Sequence, residues 1–362
     1  MTTIAEPLRT AHPAPVFGGV DTHADTHTAA VIDAAGRLLA HRQFAATPAG
    51  YAELGDWLTA HGLVRRVGVE GTGVYGAGLA RYLTAAGIEL VEVDRPDRKT
   101  RRFAGKSDPI DAEAAARAAL SGRQTGTPKT RTGPVEAVRA LRVARRSAIA
   151  ARAEAQTQLR ALVITAPEPL RGQLRALTTR RLLATCAALR PDPAAIADPV
   201  QATKTALRSL ARRHAQLSEE IEDFDALLTP LVRTINPALV AANGVGTDVA
   251  GQLLVTAGDN PDRLRSEPAF AALCGVSPIP ASSGRTHRHR LNRGGDRQAN
   301  AAIYRVVLCR MRWNPRTRAY VQRRTEEGLS KKDIIRCLKR LIARELYYLL
   351  TTRHRPEPLD NP

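Results

Sequence analysis

Three apolar runs of strand length follow one another closely near the N-terminus: VFGGVDTH, HTAAVID and RLLAHRQF, all between residues 16 and 44. Runs this short and this close, with AAG as one of the turns, predict a three-stranded antiparallel meander. The next segment, TPAGYAELGDWLTAHG, predicts a helix with Thr47 as its N-cap and Pro48 at the first helical position. RVGVE then predicts a fourth strand ending at Glu70. A glycine-rich turn leads to a helix near 75–86, and IELVEV predicts a fifth strand.

Three antiparallel strands followed by alternating helix and strand is the order of an α/β ribonuclease H-like fold. In such a sheet the first and fourth strands are neighbours, so Asp21 at the end of one and Glu70 at the end of the other converge. The stretch TRRFAGKSDPIDAEAAARAA, residues 100–119, leads a cationic run into two more acids, Asp108 and Asp111. Asp108 is placed to N-cap a helix, with Pro109 at its first position and Asp111 at its third. Two readings stand. Both acids cap the helix and offset its dipole, or the helix packs on the sheet and carries them, on one face at i, i+3, to Asp21 and Glu70. Four hard oxygen donors around one point repel one another unless a divalent cation sits among them. Mg²⁺ fits, because it is content with a few carboxylates and completes its shell with water and phosphate oxygens. Such ions activate a nucleophile and stabilise the leaving oxygen in phosphoryl transfer. His23 and His27, spaced i, i+4 on an extended segment, are expected at the surface or facing phosphate rather than on the metal.

Of the 362 residues, 54 are Lys or Arg and 35 are Asp or Glu, leaving a net charge of +19 that suits a polyanion. The charge is clustered. Segment 94–106 holds six Lys or Arg against two Asp, and Arg98, Lys99, Arg101, Arg102 and Lys106 are the expected contacts to a DNA strand entering the acidic site. Segment 285–318 holds ten arginines against one acid, Asp296, and follows the serine pair of PASSGRTHRHRLNRGGDR. There Arg285, Arg288, Arg290, Arg293 and Arg297 are candidate phosphate contacts. Ser282 and Ser283 are either turn residues of a basic loop or include a nucleophile whose attack on phosphorus the arginines would support. Gly244 and Gly246 precede an apolar helix, a weak signal for backbone amides approaching a phosphate.

Between these regions, residues 135–164 predict a long helix striped by Leu141, Ala144, Ala148, Ala151, Ala155, Leu159 and Leu162. A second, about 202–233, is striped by Leu207, Leu210, His214, Leu217, Ile221, Phe224 and Leu228. The pair reads either as a coiled-coil arm for self-association or as a helical hairpin on its own domain. Cys186, Cys274, Cys309 and Cys337 have no metal-ligand spacing and read as core thiols. No run approaches membrane-span length, and the N-terminus lacks an apolar signal core, which predicts a cytoplasmic protein.

Four motifs, GVDTHADTHTAAVID, VGVEGTGVYG, KSDPIDAEAAA and GVSPIPASSGR…RGGDR, occur in the order and spacing of the insertion-sequence-one-ten family of transposases, to which the Piv DNA invertases are related. The chain resembles that family over nearly its whole length after about residue 16. The resemblance implies a disordered segment 1–15, a RuvC-like metal-dependent domain over 16–122, and a linker and coiled-coil arm over 123–235. It further implies a mostly helical C-terminal transposase domain with a serine loop over 236–352, and a tail, 353–362. By motif, the acidic tetrad is Asp21, Glu70, Asp108 and Asp111, binding Mg²⁺, and the serine before glycine is Ser283, with Ser282 second. The implied partners are donor and target double-stranded DNA, a structured guide RNA that pairs with both, and further copies of the chain as a dimer or tetramer. The competing reading is a RuvC-type nuclease in which water attacks and the serine is irrelevant. A third is a basic scaffold whose carboxylates only cap helices.

Overall fold

A computed structural model describes residues 13–93, 107–122, 126–284 and 289–351. The chain divides into two compact units, Met1–Gly133 with Ala257–Arg265, and Pro134–Thr256 with Ser266–Pro362.

The first unit is built on a five-stranded sheet. Strands β1 (Pro15–Thr22), β2 (Thr26–Asp33) and β3 (Leu38–Ala45) form the expected meander, with Asp21 opposite Thr28 and Thr28 opposite Gln43. Helix α1 (Pro48–Ala60) follows, its N-cap Thr47 accepting a hydrogen bond from the Gly50 amide at 3.2 Å. Strand β4 (Leu63–Glu70) lies parallel to β1 with Val20 beside Val69. Helix α2 (Ala77–Ala85) leads to β5 (Leu90–Val93), parallel to β4, giving the order β3-β2-β1-β4-β5. This is the mixed sheet of a ribonuclease H-like domain, as the element order predicted.

The two sheet faces are packed by different means. On one, Val16, Val20, Val67 and Val69 bury against Leu54 and Leu58 of α1 and Leu79 and Leu83 of α2. On the other, helix α3 (Asp108–Ser121) lies directly on the strand backbones. A Cβ at Gly19 would stand 2.1 Å from the Ala116 nitrogen and 2.2 Å from the Ala112 oxygen, and one at Gly68 2.3 Å from the Ala115 oxygen. Ala112, Ala115, Ala116 and Ala119 are buried beneath α3. Glycine below and alanine above let helix and sheet approach until backbone meets backbone.

The start of α3 differs from the sequence expectation by one residue. Ser107 occupies the N-cap position with extended backbone, and its carbonyl accepts from the Asp111 amide at 3.0 Å. Asp108 is therefore already helical, Pro109 is second and Asp111 fourth. Proline is tolerated there because the missing N–H would have had no helical partner in any case. The capping reading of Asp108 is corrected by this shift, since a first helical residue is not the cap.

In the second unit, α4 (Pro134–Thr165) and α7 (Pro199–Ile235) pack along each other. Ala148, Ala155 and Leu159 of the first stripe and Leu207, Ile221 and Leu228 of the second are buried as expected, whereas Val163 is buried in place of Leu162. Helices α5 (Glu168–Leu174) and α6 (Thr179–Ala187) close one end of the pair around Leu159, Leu174, Cys186 and Leu207. The remainder comprises α8 (Pro237–Ala241), α9 (Thr247–Ala257), α10 (Glu267–Leu273), a hairpin of β6 (Ile279–Pro280) and β7 (His289–Arg290), α11 (Arg297–Trp313), α12 (Pro315–Glu326) and α13 (Lys331–Thr351). Cys186 and Cys274 are buried, but Cys309 is exposed, so it is not the core thiol the sequence predicted. No helix among the described residues is long and apolar enough to cross a membrane.

Asp248, in the first turn of α9, ties several helices together. It accepts from Arg142 at 2.8 Å, Arg145 at 3.4 Å and Arg305 at 2.6 Å, while Arg145 also grips Asp225 at 2.7 Å. Burial raises the Asp248 pKa, and Arg142, Arg305 and Arg145 outweigh it, holding the carboxyl below its ordinary range.

Two stability outcomes follow from this packing. Gly19→Ala should destabilise the first unit by about 3 kcal/mol, the upper range for forced overpacking, because the clash is with backbone; urea unfolding at wild-type stability would contradict the close-approach argument. Asp248→Asn should lose about 2 kcal/mol at neutral pH, the scale of charge-assisted hydrogen bonds. A depressed carboxyl stabilises above its unfolded pKa and loses that contribution as pH falls through the folded one. The wild-type advantage should therefore shrink on acidification, and denaturation at pH 7 and near pH 3 checks both the loss and its disappearance.

Candidate metal centre

Strand register assembles the first half of the site. Asp21 lies one residue beyond Val20 on β1, and Glu70 one beyond Val69 on β4. Both side chains belong to the pleat of Gly19 and Gly68, the face covered by α3. The strand ends are tied where the Thr22 hydroxyl donates to the Glu70 carbonyl at 2.8 Å. Helix α3 supplies the second half. Its alanines sit over Gly19, so the turn before them, with Asp108 and Asp111, reaches the ends of β1 and β4.

Asp21 is 8% exposed and Asp111 is 6% exposed, which is unusual for carboxyls without a cation. Among the described residues no lysine or arginine pairs with Asp21, Asp108 or Asp111. Burial raises the Asp21 pKa; His23 opposes this, and the carboxylates of Asp111 and Asp108 raise it further. The described residues of the site therefore gather carboxylates around one imidazole, that of His23.

That imidazole was not expected there. His23 Nε2 lies 3.2 Å from Asp21 Oδ2 and 3.3 Å from Asp108 Oδ1. One donor atom from each of Asp21, His23 and Asp108 falls within 4.8 Å of the others, a grouping able to hold a cation. Asp111 follows Asp108 one turn along α3 and acts on Asp21, while Glu70 ends the strand beside β1. His27, by contrast, is fully buried, stacks on Tyr51 with ring centroids 5.6 Å apart, and is held toward its neutral form by burial. The expected surface or phosphate-facing position is corrected for His27, which the turn after β1 separates from His23. The only sequence signal for His23 was its place two residues after Asp21.

The serines lie in the second unit. Ser282 and Ser283 are exposed where the chain leaves β6, and Gly284 has the left-handed φ of +54°. The base of this hairpin is fixed by close backbone contacts, since a Cβ at Gly295 would stand 2.5 Å from the Leu273 oxygen. Asp296, the lone acid of the basic stretch, caps α11 through the Gln298 amide at 2.8 Å and accepts from Thr256 at 2.7 Å. Of the expected phosphate contacts, Arg290, Arg293 and Arg297 are exposed. Arg98, Lys99, Arg101, Arg102, Lys106, Arg285 and Arg288 lie outside the described residues.

Comparison with known proteins follows the same division. Residues 18–166, which hold the four acids and His23, match the DEDD-type IS110 family model described as "Transposase". Residues 237–322, which hold both serines, match the model of the "Transposase IS116/IS110/IS902 family". The chain is 27% identical over 153 residues to the insertion element IS900 uncharacterized 42 kDa protein of Mycobacterium paratuberculosis, covering 41% of this chain and 38% of that protein. It is 28% identical over 145 residues to the insertion element IS110 uncharacterized 43.6 kDa protein of Streptomyces coelicolor, covering 39% of this chain and 36% of that protein. The matches thus span well under half of either relative.

If the acids form a cation site, a saturating divalent ion should stabilise the fold, by about 2.7 kcal/mol at a hundredfold excess over Kd. A rise in Tm with Mg²⁺ or Mn²⁺ in the wild type, lost in Asp21→Asn and Asp108→Asn, is the expected result of a thermal melt.

Proposed function

The chain belongs to the IS110 family of transposases, and from that premise we propose that it cuts and rejoins DNA at the acidic centre of its ribonuclease H-like domain, with Ser283 as nucleophile. The observation that carries this reading is the convergence of Asp21, Asp108 and Asp111, two of them buried, where among the described residues no lysine or arginine pairs with them. The donor set fits a hard divalent ion such as Mg²⁺. When bound, the ion would supply charge neutralisation at a scissile phosphate. Asp21, Glu70, Asp108 and Asp111 would hold it, and the buried position of Asp21 and Asp111 would keep the carboxylates fixed while substrate exchanges.

In the proposed reaction the Ser283 oxygen bonds to phosphorus as the bond from phosphorus to the 3′ oxygen breaks. The serine proton leaves to a base and the 3′ oxygen departs protonated. A free 3′ hydroxyl then attacks the phosphoserine, restoring the phosphodiester and releasing the serine. One phosphodiester is exchanged for another, so no external energy source is required. Gly284 removes side-chain bulk beside the serine, and Arg290, Arg293 and Arg297 offer exposed charge for phosphate. Because acids and serine stand on different compact units, the reaction would need both brought to one phosphate, which makes assembly on DNA a condition of cleavage. The resemblance to the family supports guidance by a structured RNA, and the +19 charge supports tight binding to nucleic acid backbones. Half-exposed Val143 and Leu227 on α4 and α7 support self-association through that helix pair.

The test is denaturing electrophoresis of protein trapped on labelled DNA, with its co-purified RNA. A covalent adduct is expected in the wild type and in Ser282→Ala but not in Ser283→Ala, with cleavage abolished in Asp111→Asn. Loss of the adduct only in Ser282→Ala moves the nucleophile by one residue. Recombination without any adduct assigns the attack to water. Recombination that survives ribonuclease treatment and repurification removes the guide RNA from the proposal.

A further inference from the structure

One member of the acidic centre is not an acid. His23 sits on the turn between β1 and β2, where its amide donates to the Thr26 carbonyl at 3.0 Å and fixes the turn. The ring is about half exposed, with 45% of the side chain accessible, yet its Nε2 atom is enclosed. Enclosed nitrogens normally make hydrogen bonds. This one makes none, although carboxylate oxygens lie 3.2 and 3.3 Å away. Neither contact has the alignment of a full hydrogen bond, so one nitrogen has two carboxylate oxygens, Asp21 Oδ2 and Asp108 Oδ1, at nearly equal distance.

That geometry is the one shared ligation would require. Donors bound at right angles on one octahedral cation, each about 2.1 Å from it, stand about 3 Å apart. The distances from Nε2 to both oxygens are close to that separation. A hydrogen-bonded ion pair would instead align an N–H with one oxygen.

We propose that His23 is a metal ligand, making with Asp21 and Asp108 a mixed nitrogen–oxygen site that takes a first-row transition ion such as Mn²⁺ in preference to Mg²⁺. Imidazole is a poor donor for Mg²⁺, which favours oxygen and parts reluctantly with its water, whereas first-row transition ions accept nitrogen readily. The four acids alone would leave the two ions close to equivalent. One imidazole breaks that balance. The proposal rests on the reading of the acids as a divalent-cation site and adds a ligand and a selectivity to it.

The experiment uses the full chain, with Mn²⁺ and Mg²⁺ alone as probes, titrated calorimetrically into wild type, His23→Asn, His23→Gln and Asp108→Asn. Electron spin-echo spectroscopy of bound Mn²⁺ then reads directly whether a nitrogen is coordinated. The wild type should show ¹⁴N imidazole coupling and bind Mn²⁺ more tightly than Mg²⁺. Both His23 variants should lose the coupling and bind Mn²⁺ about tenfold more weakly or worse, since even supporting groups of metal sites reach that scale. Their Mg²⁺ affinity should shift by less than about threefold, because Mg²⁺ gains little from the imidazole. Mn²⁺ bound without nitrogen coupling in the wild type, or with unchanged affinity in both His23 variants, overturns the role of His23 and leaves the acidic site standing. Failure of the wild type to bind either ion, or binding unaffected by Asp108→Asn, overturns the cation site itself. The half-exposed position of His23 lets either replacement be accommodated without loss of core packing.

Discussion

The backbone contact between α3 and the sheet is the constraint on which the acidic centre depends. A helix normally rests on a sheet through intervening side chains, which hold the layers about 10 Å apart. Here Gly19 and Gly68 remove those side chains from the strands, and alanines at 112, 115 and 116 keep them short on the helix. The approach has a consequence one turn away. Residues 108 and 111 have no bulky layer beneath them, so their short carboxylates reach Asp21. A thicker interface would keep the same acids in the same order and hold Asp108 and Asp111 away from Asp21. The glycines on β1 and β4 are therefore as much part of the site as the acids that follow each of them by two residues.

The sheet could be read from sequence because its information is local. The runs at 16–23, 27–33 and 37–44 each show apolar strand texture, and the separations between them allow only a meander. The parallel pairing of β1 with β4, which brings Asp21 beside Glu70, followed from element order alone. What failed was finer than an element. The start of α3 moved by one residue because Asp and Ser are both good caps and proline fits more than one position of the first turn. His23 and His27 looked alike because spacing on an extended chain assumes the chain stays extended. A turn between them sends one ring to the acids and the other into the core against Tyr51.

The helical half shows a related limit. Periodicity located α4 and α7 and most of their buried positions, yet it left open whether they serve an arm or a domain. Contacts answer part of that, since α5 and α6 close over one end of the pair and share its core. Periodicity also cannot see which polar residues are used internally. Asp296 looked like a lone acid in a basic loop, but it caps α11 and receives the Thr256 hydroxyl. Its role is to shape the base of the serine hairpin.

The same blindness applies to the arginines, and it bears on how far net charge can be trusted. Arg305 pairs with Asp248, and Arg310 clasps Glu345 through both oxygens while donating to the Asn243 carbonyl. At least two of the ten arginines counted between 285 and 318 are thus structural, and Arg142, Arg145 and Arg263 are similarly engaged elsewhere. Local counting overstates the nucleic-acid surface. Net charge does not, because each internal pair removes one cation together with one anion. With 54 Lys and Arg against 35 Asp and Glu, even complete one-to-one pairing would leave 19 cations without a carboxylate of their own. A surplus of that size, left after every carboxylate is spent, suits a partner that is itself polyanionic.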